Sequence, residues 1–182
     1  MATERIKAPA TMPVTELGEL LNTLLEAERA GARVLAAFLD DYAPGTGARR
    51  QLAAVQHDEA RNCAILIDLI QRVNATPSRA TGDFLHKALA IQGKAARLRF
   101  LNRGQRWVAR RINDALPHIE QDFVCGALFA MQESHLLNIE ACGVLAKKLE
   151  ARSNGSSKEP TRNLMEVDDD MQKQSLSKPI EG

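Results

Sequence analysis

Residues 24–35, LLEAERAGARVL, decide how this chain is read. Around them Leu17, Leu21, Leu24, Gly31, Leu35 and Phe38 recur at the spacing that lines one face of an α-helix. Glu28 falls in the middle of that apolar stripe. A lone buried carboxylate is strongly unfavourable unless it is neutralised or paired. The chain must therefore supply something that meets Glu28.

Outward from that stretch, Pro13 and a Thr15 N-cap predict a first helix from about Thr15 to Tyr42. The run APGTG at 43–47 stops it. A second helix is expected from Ala48 to Asn74, followed by the linker NATPSRATG. Asp83 to about Leu116 reads as helix throughout, with Gly93 and Gly104 as weak points. Pro117 suits the first turn of a last helix reaching about Glu150. Four long amphipathic helices predict an all-α, four-helix bundle. The nine-residue linker is too short to return along a full helix. Asp83–Ile91 is therefore a candidate crossover, and a break near Gly93 would favour it over a simple up-down order. Residues 1–14 read as a flexible arm, 15–151 as the bundle, and 152–182 as a disordered tail. That tail has few apolar residues, and NLMEV is its one candidate docking segment.

Composition adds limits. The chain has 182 residues and 45% hydrophobic residues, enough for one domain with a real core. The net charge of +1 selects no partner. Aromatics make up only 4%, against abundant Ala, Leu and Arg, which favours helix. Cys63, Cys125 and Cys142 form no CxxC pattern, so neither a disulfide framework nor a zinc knuckle is indicated. A cytoplasmic location is the expectation, with no membrane span.

The second and last helices repeat the pattern of the first. Glu59 interrupts the stripe Leu52, Val55, Cys63, Leu66, Ile70. His135 interrupts Val124, Leu128, Met131, Ile139, Cys142, Leu149. All three ionisable residues lie near mid-helix, and Glu28 and Glu59 flank the 43–47 turn at heights that differ by roughly 5 Å. One shared layer is expected. A metal ion held by Glu28, Glu59 and His135 would remove the burial penalty. An arginine or a shared proton would also do so.

The segments LLEAERAGARVL, DEARNCAIL, ATPSRATGDF, FLNRGQRWV and MQESHLLNIEAC resemble an uncharacterised bacterial ferritin-like domain family, over about Leu17 to Leu149. The resemblance implies a ferritin-like four-helix bundle. In that superfamily two helices each give one Glu and two others each give Glu-x-x-His to a two-metal site. Here Glu28 matches the single Glu of the first helix. Glu59 matches the Glu of the second helix, with Asn62 in the histidine position. His135 matches the histidine of the last helix, with Gln132 in the Glu position. The third helix has no core carboxylate and offers Gln105, with Asn102 at its edge. This reduced set implies one iron, manganese or zinc ion rather than two, with Gln132 and Asn62 as outer or weak ligands.

The third helix is basic. Arg99, Arg103, Arg106 and Arg110 form one stripe away from the apolar face, with Phe100 and Trp107 beside it. The stripe reads as a contact surface for an acidic protein partner or for a homo-oligomer, as a dimer, or as a solvated face paired with acids such as Asp58 or Asp68. The sequence carries no nucleic-acid motif. His57, His86 and His118 lack ligand partners at helical spacing. A Cys63–His135 nucleophile pair would lack an oxyanion site. Two functions remain open: a reduced metal site with a redox or storage role, or a non-catalytic bundle acting through association, its inner polar layer structural.

Overall fold

Thr46 begins the second helix, because its hydroxyl accepts the Arg49 backbone N–H at 3.2 Å. Arg49 in turn donates to the Tyr42 carbonyl at 2.9 Å and to the Leu39 carbonyl, closing the end of the first helix with a cation. The computed structural model describes residues 10–156, which are all-helical apart from loops and contain no strand. The helices are α1 (Val14–Leu39), α2 (Gly47–Arg72), α3 (Phe84–Ala90), α4 (Lys94–Ala115) and α5 (Asp122–Ser156).

Boundaries differ from expectation at four places. Pro13, not Thr15, precedes the first helical turn, and no side chain caps it. Asp83–Leu116 is not one helix: it breaks at 91–93, where Gly93 takes φ 85°, a region most residues avoid. Pro117 lies in a 3-10 turn at Leu116–His118, and the last helix starts later, at Asp122. That helix also runs through Ser156, past the expected boundary at 151. Part of the expected arm is ordered against the bundle end: Met12 N–H donates to the His118 carbonyl at 2.7 Å, and Thr11 donates to Glu120 at 2.7 Å. Residues 1–9 and 157–182, including NLMEV, lie outside the described residues.

α1 packs on α2 and α4 packs on α5, each as an antiparallel pair; α2 also touches α5, and α1 touches α4. Going round the core the order is therefore α1, α2, α5, α4. α1 and α5 stand at opposite corners, as do α2 and α4. The chain from α2 to α4 runs along α1. Asn22 donates to the Thr76 carbonyl at 3.0 Å and accepts from Ser78 N–H at 2.6 Å. Arg29 reaches the Ala80 carbonyl at 2.9 Å, and Arg97 of α4 pairs with Asp41 beyond the end of α1 at 2.8 Å. The crossover thus travels the length of α1 and delivers α4 parallel to α2.

The apolar core falls into two clusters. One gathers Leu21, Leu25, Leu66, Ile70, Ile112 and Leu128 among others. The second gathers Leu35, Phe38, Leu52, Leu98 and Leu101 with Cys142. Each fully buried Leu or Phe contributes about 1.5–3 kcal/mol. Between the clusters lies a buried polar layer. Among the described residues no helix is long and apolar enough to cross a membrane.

The break at Gly93 sets where α4 begins. A Cβ there would touch nothing within 4 Å, so a substitution is opposed only by backbone conformation. Gly93→Ala should destabilise the fold by about 1–2 kcal/mol, visible as a melting temperature lower by several degrees. An unchanged melting temperature would show that 91–93 can close into continuous helix.

Candidate functional site

The layer is built across the diagonals. Glu28 of α1 is fully buried, and its Oε1 lies 2.7 Å from Nε2 of His135 on α5. Its Oε2 accepts the Asn62 amide of α2 at 2.9 Å. On the other diagonal, the Gln105 amide of α4 donates to Glu59 of α2 at 3.2 Å. Opposite helices do not pack backbone to backbone, so long polar side chains span the centre. Gly31 makes room for this arrangement: a Cβ on it would sit 2.2 Å from a Glu59 carboxylate oxygen. The glycine in the opening stretch is therefore the seat of the second carboxyl group.

Sequence reasoning placed Glu28, Glu59, His135 and Asn62 here, and the structure brings them together. It does not bring in Gln132, which is half-buried and donates instead to the Ala109 carbonyl at 3.3 Å, tying α5 to α4. Gln132 faces α4 because it lies one turn toward the N-terminus from His135, where the two helices touch. Two residues were underrated. Asn102 is buried and donates to the Ile139 carbonyl at 2.8 Å; Asn138 is buried and donates to Asp58 at 3.2 Å. The signal for Asn102 was its place one turn before Gln105 on an apolar face. Asn138 carried the same signal, one turn after His135. Three buried atoms have no protein partner: Asn102 Oδ1, Gln105 Oε1 and His135 Nδ1.

Burial, and then the nearby Glu28 charge, push the Glu59 carboxyl well above its ordinary value of 4.5; the Gln105 hydrogen bond only partly opposes them. As arranged, no three His, Cys, Asp or Glu side chains among the described residues are grouped to hold an ion. A cavity of about 450 Å³ reaches this layer from the surface between α1, α4 and the crossover. Glu59, Gln105 and His135 line its buried end, while Arg103 and Trp107 line its exposed end.

The thiols are not nucleophiles. Burial pushes Cys63 to about 11 and Cys142 to about 12, so both stay protonated near neutrality. The arginine stripe is partly engaged. Arg99 pairs with Glu150 of α5, and Arg103 lies 5.0 Å from the Phe100 ring centre. The acids suggested as its partners are taken elsewhere, Asp68 by Arg72 at 3.7 Å and Asp58 by Asn138. Phe100 is also unavailable to a partner molecule, because it stacks on Phe84 at 4.7 Å.

The domain of unknown function DUF6306 matches residues 15–146, and the chain belongs to that family. No curated protein and no solved structure matches the chain.

A carboxyl group with a raised folded pKa adds stability below its unfolded pKa and loses it as pH rises through the folded value. Glu59→Gln removes that titration while preserving shape. As pH rises past the ordinary carboxyl value of 4.5, the native chain should lose stability relative to Glu59→Gln. Urea unfolding of both chains measures the gap. A gap that stays constant with pH would mean that Glu59 does not titrate on folding in this range.

Proposed function

We propose that this DUF6306 member is a ferritin-like four-helix bundle that holds a single divalent ion between Glu28, Glu59 and His135, in a redox or metal-storage role. The observation that carries this reading is the burial of two carboxyl groups and an imidazole in one layer, reached by a cavity from the surface. The single crossover along α1 supports the ferritin-like topology. The donor set suits one ion and not two. Two carboxylates balance one divalent charge, and the third helix contributes only the amides Asn102 and Gln105. His135 offers Nε2 on the Glu28 side. Bound iron or manganese would supply one-electron chemistry; zinc would supply none. Asn62 and Gln105 hold the two carboxyl groups in place by one hydrogen bond each.

A second reading is favoured by a separate observation. The outer face of α5 exposes Phe129 (55%), Leu136 (50%), Leu137 (68%) and Val144 (43%) within one helical arc, opposite the core face of Val124, Leu128, His135 and Cys142. The same arc carries the exposed Glu133, Glu140 and Lys147, so these four side chains form an apolar patch with charges set in it, a pattern suited to a contact between copies. In this reading the bundle acts by association with a second copy, and the Glu28–His135 bond is a structural ion pair. The contact face would be α5 rather than the arginine stripe.

Metal content separates the two. Protein purified without a metal-affinity tag should carry stoichiometric iron, manganese or zinc by elemental analysis, and Glu28→Ala and His135→Leu should lose it. A metal-free native chain, or unchanged content in Glu28→Ala, would sink the ion site. The association reading predicts that Leu137→Glu shifts the sedimenting species to a smaller one; an unchanged species would remove α5 as the contact.

A further inference from the structure

We propose that the cavity between α1, α4 and the crossover binds a small neutral molecule with an apolar body and one hydroxyl group, the hydroxyl seated on Gln105 and His135. The volume, about 450 Å³, is in the range of small-molecule sites. Its walls are apolar: Ala27, Ala30, Leu101 and Val108 from the bundle, and Phe84 from α3. Small side chains create the space. Gly104 leaves no Cβ on the α4 side, and Phe84 closes over it so tightly that a Cβ would lie 2.8 Å from the ring.

The fully buried polar groups, Glu59, Gln105 and His135, gather at the inner end, while Thr23, Glu26, Thr81, Asp83 and Arg103 line the outer part. Gln105 is 3% exposed and His135 1% exposed, both line the cavity, and each keeps one polar atom without a protein partner, Oε1 and Nδ1. The other atoms of these groups are committed, Gln105 Nε2 to Glu59 and His135 Nε2 to Glu28. His135 Nδ1 accepts or donates according to the tautomer, and a hydroxyl group can meet it in either state. Gln105 Oε1 can only accept, so the inner end of the pocket calls for a ligand that donates. A hydroxyl group donates without bringing a charge into an apolar enclosure. Arg103, the cation on this cavity, stands at the exposed end, where it leans on the Phe100 ring, and is not at the polar end that would seat the head group. The ligand site does not require an ion: Nδ1 is the nitrogen that Glu28 leaves free.

Trp107 is the only tryptophan of the chain and lines the cavity mouth, so its emission reports occupancy. The test titrates the full-length chain with cyclohexanol, cyclohexanone, cyclohexylammonium and cyclohexanecarboxylate, by calorimetry and by Trp107 fluorescence. Cyclohexanol should bind at one site per chain and shift the emission. Cyclohexanone, which accepts but cannot donate, should bind about tenfold more weakly. Both charged analogues should also bind more weakly than the alcohol. Ala27→Phe fills the cavity and should abolish cyclohexanol binding while the chain still melts cooperatively. Gln105→Leu should bring alcohol and ketone affinities together. Should that variant not fold, the alcohol-to-ketone ratio on the native chain decides alone. The proposal is overturned by no cyclohexanol binding up to its solubility limit, by equal binding of ketone and alcohol, by a charged analogue binding tighter, or by full binding in Ala27→Phe. Metal content is read separately, so failure of the ion site and failure of the ligand site are distinguishable.

Discussion

Glu28 is the residue that the interior must accommodate. Its carboxyl group has no access to water, and burying it unpaired is far more unfavourable than any single apolar contact can offset. Everything near mid-bundle answers to that demand. His135 comes from the opposite corner and Asn62 from the adjacent helix to meet its two oxygens. For His135 to arrive at that height, α5 must keep its register against α4, which Asn102 and Gln132 help to hold through backbone carbonyls. For Asn62 to arrive, α1 and α2 must be joined at the right stagger, which Thr46 and Arg49 set at the turn.

Glu59 shows how near this arrangement lies to its limit. A second carboxyl group in the same layer repels the first, and burial penalises its charge, so its proton is held more tightly. Space for it exists only because residue 31 is glycine. The two apolar clusters on either side supply the favourable burial, and the polar layer between them contributes uniqueness of register. A one-turn slip of any long helix would move a carboxyl, imidazole or amide group into hydrocarbon.

The same architecture explains why the cavity opens at one side. α1 and α4 touch less intimately than the members of each hairpin, and the crossover passes over the seam between them. Ala27 and Ala30 of α1 leave room in that seam, while Phe84 and Glu59 take up the space left by Gly104 and Gly31. The cavity therefore leads inward to the one place where polar groups are concentrated. On the far side, α5 exposes Phe129, Leu136, Leu137 and Val144 among charged residues, a grouping with no counterpart on the other long helices among the described residues.

Much of the fold was legible in the sequence by itself. Helical periodicity is a local property, so the long helices, the stop at 43–47 and one ionisable residue centred on each of three stripes could be read from spacing, whereas Gly93 read only as a weak point in a continuous helix. Distance from the 43–47 turn, and a mid-helix place for His135, then put Glu28, Glu59 and His135 near one height. Tertiary structure alone decided who meets whom. Glu28 faces His135 rather than Glu59 because the crossover runs along α1 and puts α5 at the opposite corner. Gln132, one turn from His135, faces the α4 backbone instead of the centre because the α4–α5 contact lies on that side. Asn102 looked like an edge residue and Asn138 was not singled out, since a single stripe cannot show which neighbour will cover its margin. The cavity was also out of reach, because it is made of what is missing between helices, and spacing along one chain does not record the gap between two.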